Sequence, residues 1–171
     1  IAPWILRAGR AEVSLPWDTI TGGDALVITR LELLRPELDL GALSAWQASR
    51  PAATEPFELP TFTDGVEITD GRVSGDGWEV AELKLALPTL APGAPAEAEL
   101  SGRFLQDATN VVFAGRLEAD RAGLDPELTL DASGRLRSGD IDAPWKLSLA
   151  GKLDATADPL RFWIASLDWQ S

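Results

Sequence analysis

The sequence contains no Cys, His, Met or Tyr among its 171 residues. Without Cys the chain has no disulfide, no thiolate nucleophile and no sulfur ligand for a metal. Without His it lacks the commonest general base and the commonest metal-binding side chain. Carboxylates are plentiful, but they are scattered along the chain and none stands alone on an apolar background. We therefore expect a protein that is not an enzyme and that uses no metal and no cofactor.

The charge balance is strongly acidic, with 27 Asp and Glu against 15 Lys and Arg and a formal net charge of -12. A protein that tracks nucleic-acid phosphates needs a basic footprint, so we expect no nucleic-acid partner. An acidic surface is also repelled by anionic lipid headgroups. Any contact with lipid is therefore expected through acyl chains inside the fold, and not by lying on a bilayer.

Long hydrophobic runs are also missing, since no segment approaches the ~20 apolar residues of a membrane-spanning helix. The chain begins with Ile1 and not with Met. We interpret it as a piece of a longer protein, whose membrane anchor, if it has one, would lie upstream of Ile1.

The first 60 residues predict strands and one helix. Strands are predicted at 11–15 and at 25–34, the second being rich in β-branched and apolar residues. The helix is predicted over residues 39–50, because Asp39 can cap its start and Pro51 prevents its continuation. The segment from 51 to 60 contains three Pro residues and predicts a loop.

The remainder, 61–171, predicts a meander of antiparallel strands, and we treat 1–171 as a single β-rich domain. Asp70-Gly71 is expected to form a two-residue hairpin turn, because Asp-Gly supplies the positive φ angles of a type I′ turn. Gly and Pro clusters separate the later strands. The predicted strands are 66–69, 72–73, 78–87, 96–104, 111–119, 127–136, 144–153 and 160–164.

Four consecutive strands alternate with period two between apolar and charged residues. One face carries small and large apolar side chains, and the other carries Glu, Asp, Arg, Lys, Ser and Thr. This is the pattern of a sheet with one buried face and one wet face. The apolar set is Ala96, Ala98, Leu100, Gly102, Phe104, Val111, Phe113, Gly115, Leu117, Ala119, Leu128, Leu130, Ala132, Gly134, Leu136, Trp145, Leu147, Leu149, Gly151 and Leu153. The parity changes between Ile164 and Leu167, which predicts a β-bulge or the end of the sheet.

Each of the four strands places a glycine on its apolar side, at Gly102, Gly115, Gly134 and Gly151. Glycine inside a strand costs roughly 0.5–1 kcal/mol relative to Ala, so the repetition needs a reason. Strong coiling of the sheet is one reason, and close approach of a ligand or of a facing sheet is another. Packing of a twisted sandwich is an equally good explanation at this level.

Two architectures can cover the apolar face. A β-sandwich would supply a second sheet, whereas a single sheet could instead curl into an open trough. The helix, with Leu40, Leu43 and Trp46 at three-residue steps, is expected to pack against the sheet or to close one end of such a trough. Asp140-Ile141-Asp142 offers oxygen ligands of the kind that Ca²⁺ prefers, but a solvated acidic turn is the better interpretation.

A series of apolar runs and turns follows a recognisable order along the chain: Leu31–Leu40, the helix with Trp46, Leu59-Pro60, Val66–Val73, Leu83–Leu87 and Pro92–Pro95. This order resembles the periplasmic part of AsmA-family proteins of Gram-negative bacteria, including the related TamB-like proteins. The similarity extends over residues 5–170.

The resemblance implies a mostly β fold: an antiparallel meander of about seven to nine strands curled into an open, taco-like groove, with one short helix near residues 39–50. It implies a non-enzymatic, periplasmic segment of a protein anchored in the inner membrane. Such a segment would shield phospholipid or other acyl-chain lipid, and would contribute to lipid transport or outer-membrane homeostasis, with other envelope proteins as possible partners. A β-sandwich module that binds protein or glycan is the alternative.

The resemblance offers no catalytic residues, and its functional surface would be the inner face of the sheet. In this chain the groove residues would be Leu100, Phe104, Phe113, Leu117, Leu128, Leu130, Leu136, Trp145, Leu147, Leu149, Phe162 and Ile164.

Overall fold

The computed structural model describes residues 4–20, 26–49, 59–155 and 161–171. These residues form thirteen strands and two helices. The strands are β1 Leu6–Arg7, β2 Arg10–Ser14, β3 Val27–Ile28, β4 Arg30–Leu34, β5 Glu37–Asp39, β6 Thr61–Phe62, β7 Val66–Gly75, β8 Trp78–Leu87, β9 Ala96–Gln106, β10 Thr109–Ala119, β11 Glu127–Ser138, β12 Ile141–Asp154 and β13 Arg161–Gln170. The helices are α1 Trp17–Ile20 and α2 Leu40–Ala48.

Eleven of the strands belong to one large, mostly antiparallel sheet. From β7 to β13 every strand pairs with its neighbour in the chain, which confirms the predicted meander. Beyond β7 the sheet branches, since β4 and β5 both pair with β7 in parallel and are flanked by β2 and β1. The sheet does not close on itself within the described residues, so it is an open, curled sheet as predicted.

The register places apolar residues on one face across all the long strands. Directly opposite residues of an antiparallel pair point to the same face, because side chains alternate along each strand. One cross-strand row consists of Ala98, Leu117, Leu130, Leu149 and Leu167. The alternation of apolar and polar residues predicted from the sequence is therefore confirmed in the sheet.

The adjacent row on the other face is polar throughout. It consists of Glu99, Arg116, Asp131, Ser148 and Asp168. The two rows lie side by side on the same five strands, so the sheet separates the two kinds of residue completely at this position.

The apolar face is not covered by another layer in the described part of the chain. The one other sheet there is the pair β3–β6, which is only two residues long in each strand. The buried apolar residues are Phe62, Ala98, Ala122 and Trp145, and no described side chain is less than 2% exposed. The sandwich expected as the alternative, which needs a filled core between two sheets, does not describe these residues.

The prediction of a hairpin at Asp70-Gly71 is wrong. Strand β7 runs straight through both residues, and Val73 pairs with Val80 beyond them. Asp70 has a φ of 57° and is an extra residue in β7, a β-bulge. The chain turns instead at Asp76-Gly77, where Gly77 has a φ of 75°. Both Asp-Gly steps supply positive φ angles, and pairing with β8 decides which of them turns.

The connection predicted between the strands 127–136 and 144–153 is shorter than expected, because β11 extends to Ser138 and β12 begins at Ile141 and includes Pro144. Proline has no N–H to donate and is tolerated in a sheet where that side of the strand has no partner. Pairing of β12 with β13 reaches only to Lys146, so Pro144 lies in a part of β12 that pairs with β11 alone.

In the first part of the chain, β2 matches the strand predicted at 11–15, whereas the strand predicted at 25–34 is divided. Strands β3 and β4 are separated at Thr29, and they pair with different partners. Between β2 and β3 the chain forms the one-turn helix α1. The loop predicted at 51–60 falls, except for its last two residues, outside the described residues.

Helix α2 lies within the range predicted for it, and its start has the predicted cause. The Asp39 side chain accepts a hydrogen bond of 2.9 Å from the Ala42 backbone N–H. Leu40 and Leu43 are half-buried, while Trp46 is 42% exposed. The helix contacts β7. It follows β5, whose Asp39 pairs with Ser74 near the Asp76-Gly77 turn, so it lies at that end of the sheet.

The bulge predicted near the end of the chain is present in β13. Ala150 of β12 pairs with Ser166, and the next residue, Gly151, pairs with Ile164. Ala165 is therefore the extra residue. Its insertion brings Phe162, Ile164, Leu167 and Trp169 onto the same face, which explains the change of parity in the sequence.

Aromatic rings lie over several glycines of the apolar face. A Cβ added to Gly102 would lie 3.0 Å from Cζ of Phe113 on the next strand, and one added to Gly151 would lie 2.6 Å from Cζ of Phe162. Gly75 has the same relation to the ring of Trp78. Rings therefore fill the space beside Gly102 and Gly151, whereas Gly115 and Gly134 lie against the backbone carbonyl groups of Asp131 and Val112 on neighbouring strands.

Gly134 and Gly123 allow a direct test of this backbone packing. A Cβ at Gly134 would collide with the Val112 carbonyl group, whereas one at Gly123 meets nothing within 4 Å. We expect Gly134→Ala to lower the free energy of unfolding by about 1–3 kcal/mol, the usual cost of overpacking. Gly123→Ala should change it by less than about 0.5 kcal/mol, as is usual for surface positions. Urea unfolding of both variants checks this, and equal values would contradict the described packing.

Candidate functional site: the apolar face of the sheet

The structure places all twelve predicted groove residues on one face of β9 to β13. Ten of them, from Leu100 to Leu149, are half-buried or buried. Phe162 and Ile164, which lie on the terminal strand β13, are 38% and 59% exposed. The register assigns them to this face because each is opposite an apolar-face residue: Phe162 opposite Leu153 and Ile164 opposite Gly151.

The face extends further than the predicted set. Strands β7 and β8 add apolar residues, and so do β2, β4, β5 and the end of β13. The additional residues are Ala11, Val13, Leu31, Leu33, Leu38, Val66, Ile68, Val73, Val80, Leu83, Leu85, Leu87, Leu167 and Trp169.

The apolar-face residues of β7 and β8 could not be recognised from the sequence because each of these strands contains a bulge. Asp70 is an extra residue in β7, and Glu82, with a φ of 53°, is an extra residue in β8. Each bulge shifts the parity of the apolar positions, from Ile68 to Gly71 in one strand and from Val80 to Leu83 in the other. A simple period of two therefore fails in both, although each half-strand obeys it.

One row of side chains crosses the sheet without a polar member. It runs through nine strands and consists of Ala11, Leu33, Ile68, Leu85, Leu100, Gly115, Ala132, Leu147 and Trp169. Neighbouring strands are about 4.8 Å apart, so the row is on the order of 38 Å long. At ~3.3 Å per residue, the strands of 10–14 residues that carry it extend about 33–46 Å in the other direction.

Aromatic residues concentrate in the half of this face nearest the Asp76-Gly77 turn. The rings of Trp145 and Trp169 are stacked almost in parallel, with centroids 5.4 Å apart and an interplanar angle of 3°. Trp78 and Phe104 are stacked at 6.0 Å. The other half carries Ala96, Ala98 and several leucines, together with Phe162 on β13.

Trp145 is the most enclosed large residue of the face, at 7% exposure. Its indole Nε1–H has no hydrogen-bond partner among the described residues. Buried donors of this kind are rare, because each one loses its hydrogen bond to water without replacement. The apolar face thus contains one buried donor, the Trp145 indole N–H, without a partner among the described residues.

The opposite face carries ion pairs at strand neighbours. Arg116 contacts Glu97 and lies 3.2 Å from Glu118, and Arg30 lies 2.7 Å from both Glu32 and Glu67. These side chains are 42–57% exposed, so water screens the pairs and they add little to stability. Their effect is to keep this face solvated.

Asp142 belongs to the same pattern of exposed ion pairs. Its carboxylate accepts a 2.5 Å hydrogen bond from Arg135 Nε, which lowers the pKa of Asp142 from its ordinary value. Arg137 Nε lies 3.5 Å from the other oxygen. In the described parts of the chain, no three Asp or Glu residues are grouped closely enough to hold a metal ion.

A depression of about 510 Å³ over β7 to β10 is lined by residues of the charged face together with Ile68, Leu85, Leu100 and Gly115 of the apolar row. The charged groups around it are Glu67, Lys84, Glu99 and Arg116, two acidic and two basic. All four are exposed, so none is held in a fixed position by burial. The depression therefore offers no built binding site, and the apolar face is the stronger candidate.

Among the described residues, no helix has the length and hydrophobicity required to cross a membrane. Comparison of the chain with models of known protein families, with curated proteins and with solved structures found no match.

Two tryptophans of β13 with nearly equal exposure allow a test of the aromatic contact. Trp169 is 52% exposed and stacks on Trp145, whereas Trp163 is 50% exposed and lies on the charged face opposite Lys152. We expect Trp169→Ala to lower the free energy of unfolding by about 0.5–1.5 kcal/mol more than Trp163→Ala, since only Trp169 loses an aromatic pair. Urea unfolding measures the difference, and near-ultraviolet circular dichroism should change in Trp169→Ala. Equal destabilisation with an unchanged spectrum would contradict the stacking.

Proposed function

We propose that the apolar face binds the acyl chains of a lipid, such as a phospholipid, and shields them from water. The observation that carries this proposal is the uninterrupted apolar row over nine strands, which no other layer covers in the described part of the chain. Soluble proteins seldom expose a continuous apolar area of this size, and such areas are typically interaction sites.

The dimensions suit an acyl chain. The hydrocarbon core of a bilayer is about 30 Å thick, so one acyl chain spans about half of that distance. Both the row and the long strands exceed this length. Each CH₂ group removed from water contributes about 0.8 kcal/mol, so an acyl chain lying on this face is favoured over one in water.

The distribution of charge supports acyl-chain binding over binding to a membrane surface. The opposite face is charged and the whole chain has a formal net charge of -12, so anionic headgroups would be repelled. A lipid would therefore place its tails on the apolar face and its headgroup at the rim of the sheet, in water.

The wider biological role follows from the resemblance to AsmA-family and TamB-like proteins. On that basis the chain is a non-enzymatic segment of a periplasmic protein, anchored in the inner membrane through a part outside this sequence. It contributes to lipid transport or outer-membrane homeostasis, with envelope proteins as further partners. The large open sheet is the architecture that such a role requires.

Two matched pairs of substitutions test the lipid site. Leu130→Glu places a carboxylate in the middle of the apolar face, and Thr129→Glu places the same charge on the other face of the same strand. Leu149→Glu and Ser148→Glu repeat the comparison on β12. Burying an unpaired carboxylate against acyl chains is costly. We therefore expect the amount of lipid bound by Leu130→Glu and by Leu149→Glu to be at least tenfold lower than that bound by the unmodified protein. Thr129→Glu and Ser148→Glu should retain bound lipid.

Native mass spectrometry and solvent extraction of the purified proteins measure the bound lipid, and circular dichroism verifies that each variant is folded. If a variant does not fold, a fatty acid is tested for its ability to displace Nile red from the unmodified protein. Displacement reports directly whether the protein binds acyl chains. The proposal is wrong if the folded, unmodified protein carries no lipid and binds none, or if folded Leu130→Glu binds as well as Thr129→Glu.

A further inference from the structure

Strand β13 leaves one long edge of the sheet unpaired. It pairs only with β12 among the described residues, and all ten of its residues are exposed. On the other side of the sheet the outer strands are short, two residues in β1 and five in β2. An edge strand presents free backbone N–H and C=O groups and can pair with a further strand. A long edge bearing Phe162, Ile164, Leu167 and Trp169 is favourable for such pairing.

The order of residues in β13 is symmetric about the bond between Ala165 and Ser166. Apolar-face residues lie at the same distances on both sides of it: Ile164 mirrors Leu167, and Phe162 mirrors Trp169. The charged-face residues mirror each other in the same way, Trp163 with Asp168 and Arg161 with Gln170. A strand with this pattern can pair antiparallel with its own copy while keeping each face continuous.

We propose that two copies of this chain associate through β13, antiparallel and around a two-fold axis at Ala165-Ser166. In this register Phe162 lies opposite Trp169 of the partner subunit, and Ile164 lies opposite Leu167 of the partner subunit. Directly opposite side chains share a face, so the apolar faces of the two sheets join into one. The row through Leu130 and Leu149 then continues across Leu167 into the second subunit.

The charges of β13 agree with this register. Trp163 lies opposite Asp168 of the partner subunit, which brings Arg161 diagonally next to the same carboxylate. The two-fold axis repeats this contact, so two pairs of opposite charge form at the interface. Diagonal neighbours on one face are close enough for long side chains to interact. The contact offsets some of the repulsion between two acidic subunits.

The bulge at Ala165 does not prevent this pairing. Bulges usually protect edge strands, because they interrupt the regular ladder of backbone groups. Here the bulge lies at the two-fold axis, so the interruption of each strand faces that of the other. The segments 161–164 and 167–170 remain regular, and each pairs with the other segment of the second subunit.

Disulfide cross-linking tests the register directly, since the chain contains no Cys of its own. The double variant Trp163→Cys with Asp168→Cys places thiols opposite each other across the proposed interface. Within one subunit the two positions pair with Lys152 and Ser148, which are four residues apart on β12. They are therefore about 13 Å apart at ~3.3 Å per residue, too far for a disulfide. We expect oxidation to give a covalent dimer. The control variant combines Trp163→Cys with Ser166→Cys, a pair that would face each other only in a register shifted by two residues. It should give at least tenfold less covalent dimer.

Sedimentation of the full chain tests whether the association uses this edge. Ile164 and Ile141 are both isoleucines and are 59% and 58% exposed, but only Ile164 lies on β13. We expect Ile164→Lys to raise the dissociation constant of the dimer at least tenfold and Ile141→Lys to leave it nearly unchanged. A monomer at all concentrations would overturn the proposal. So would a dimer that Ile164→Lys does not weaken, or equal cross-linking in both registers. A strand of another protein on this edge would give a monomer of the pure chain and no cross-link.

Discussion

The period-two alternation of side chains along a strand is the constraint on which this structure depends. Because opposite residues of paired strands share a face, one consistent register sorts the entire sheet into an apolar side and a charged side. A slip of one residue between β10 and β11 would bring Leu117 against Asp131 in place of Leu130. The register is therefore specified by the sequence at every long strand, and it creates the open apolar face.

The second constraint is the placement of large and small residues across that face. Phe113 lies between Gly102 and Gly134 on the two neighbouring strands, and Trp145 lies opposite Gly134. A Cβ at Gly102 would lie 3.0 Å from Cζ of Phe113, so this glycine leaves room for the ring on the next strand. The placement of glycine beside a ring is therefore part of how this face packs.

Local chemistry predicted the elements that depend on local interactions. The helix Leu40–Ala48, its Asp39 cap and the bulge before Leu167 could be recognised because the decisive residues are adjacent in the sequence. The choice between Asp70-Gly71 and Asp76-Gly77 as the turn could not, since both fit and only pairing with β8 distinguishes them. The parallel pairing of β4 and β5 with β7 joins segments about 35 residues apart, and nothing in either segment specifies it.

The candidate site was recognised in part for the same reason. Its residues on β9 to β12 follow an undisturbed alternation, whereas those on β7 and β8 are displaced by Asp70 and Glu82. Both are non-glycine residues at positive φ, an uncommon conformation that the residue type does not reveal.

The extent of the apolar surface also affects the stability of the fold. With no described side chain fully buried, the sheet lacks the enclosed core that ordinarily stabilises a domain of this size. A ligand that binds only the folded state adds RT ln(1 + [L]/Kd) to the free energy of unfolding, about 2.7 kcal/mol at one hundred times Kd. If lipid covers the face as proposed, it replaces the missing layer, and folding and lipid binding become parts of one equilibrium.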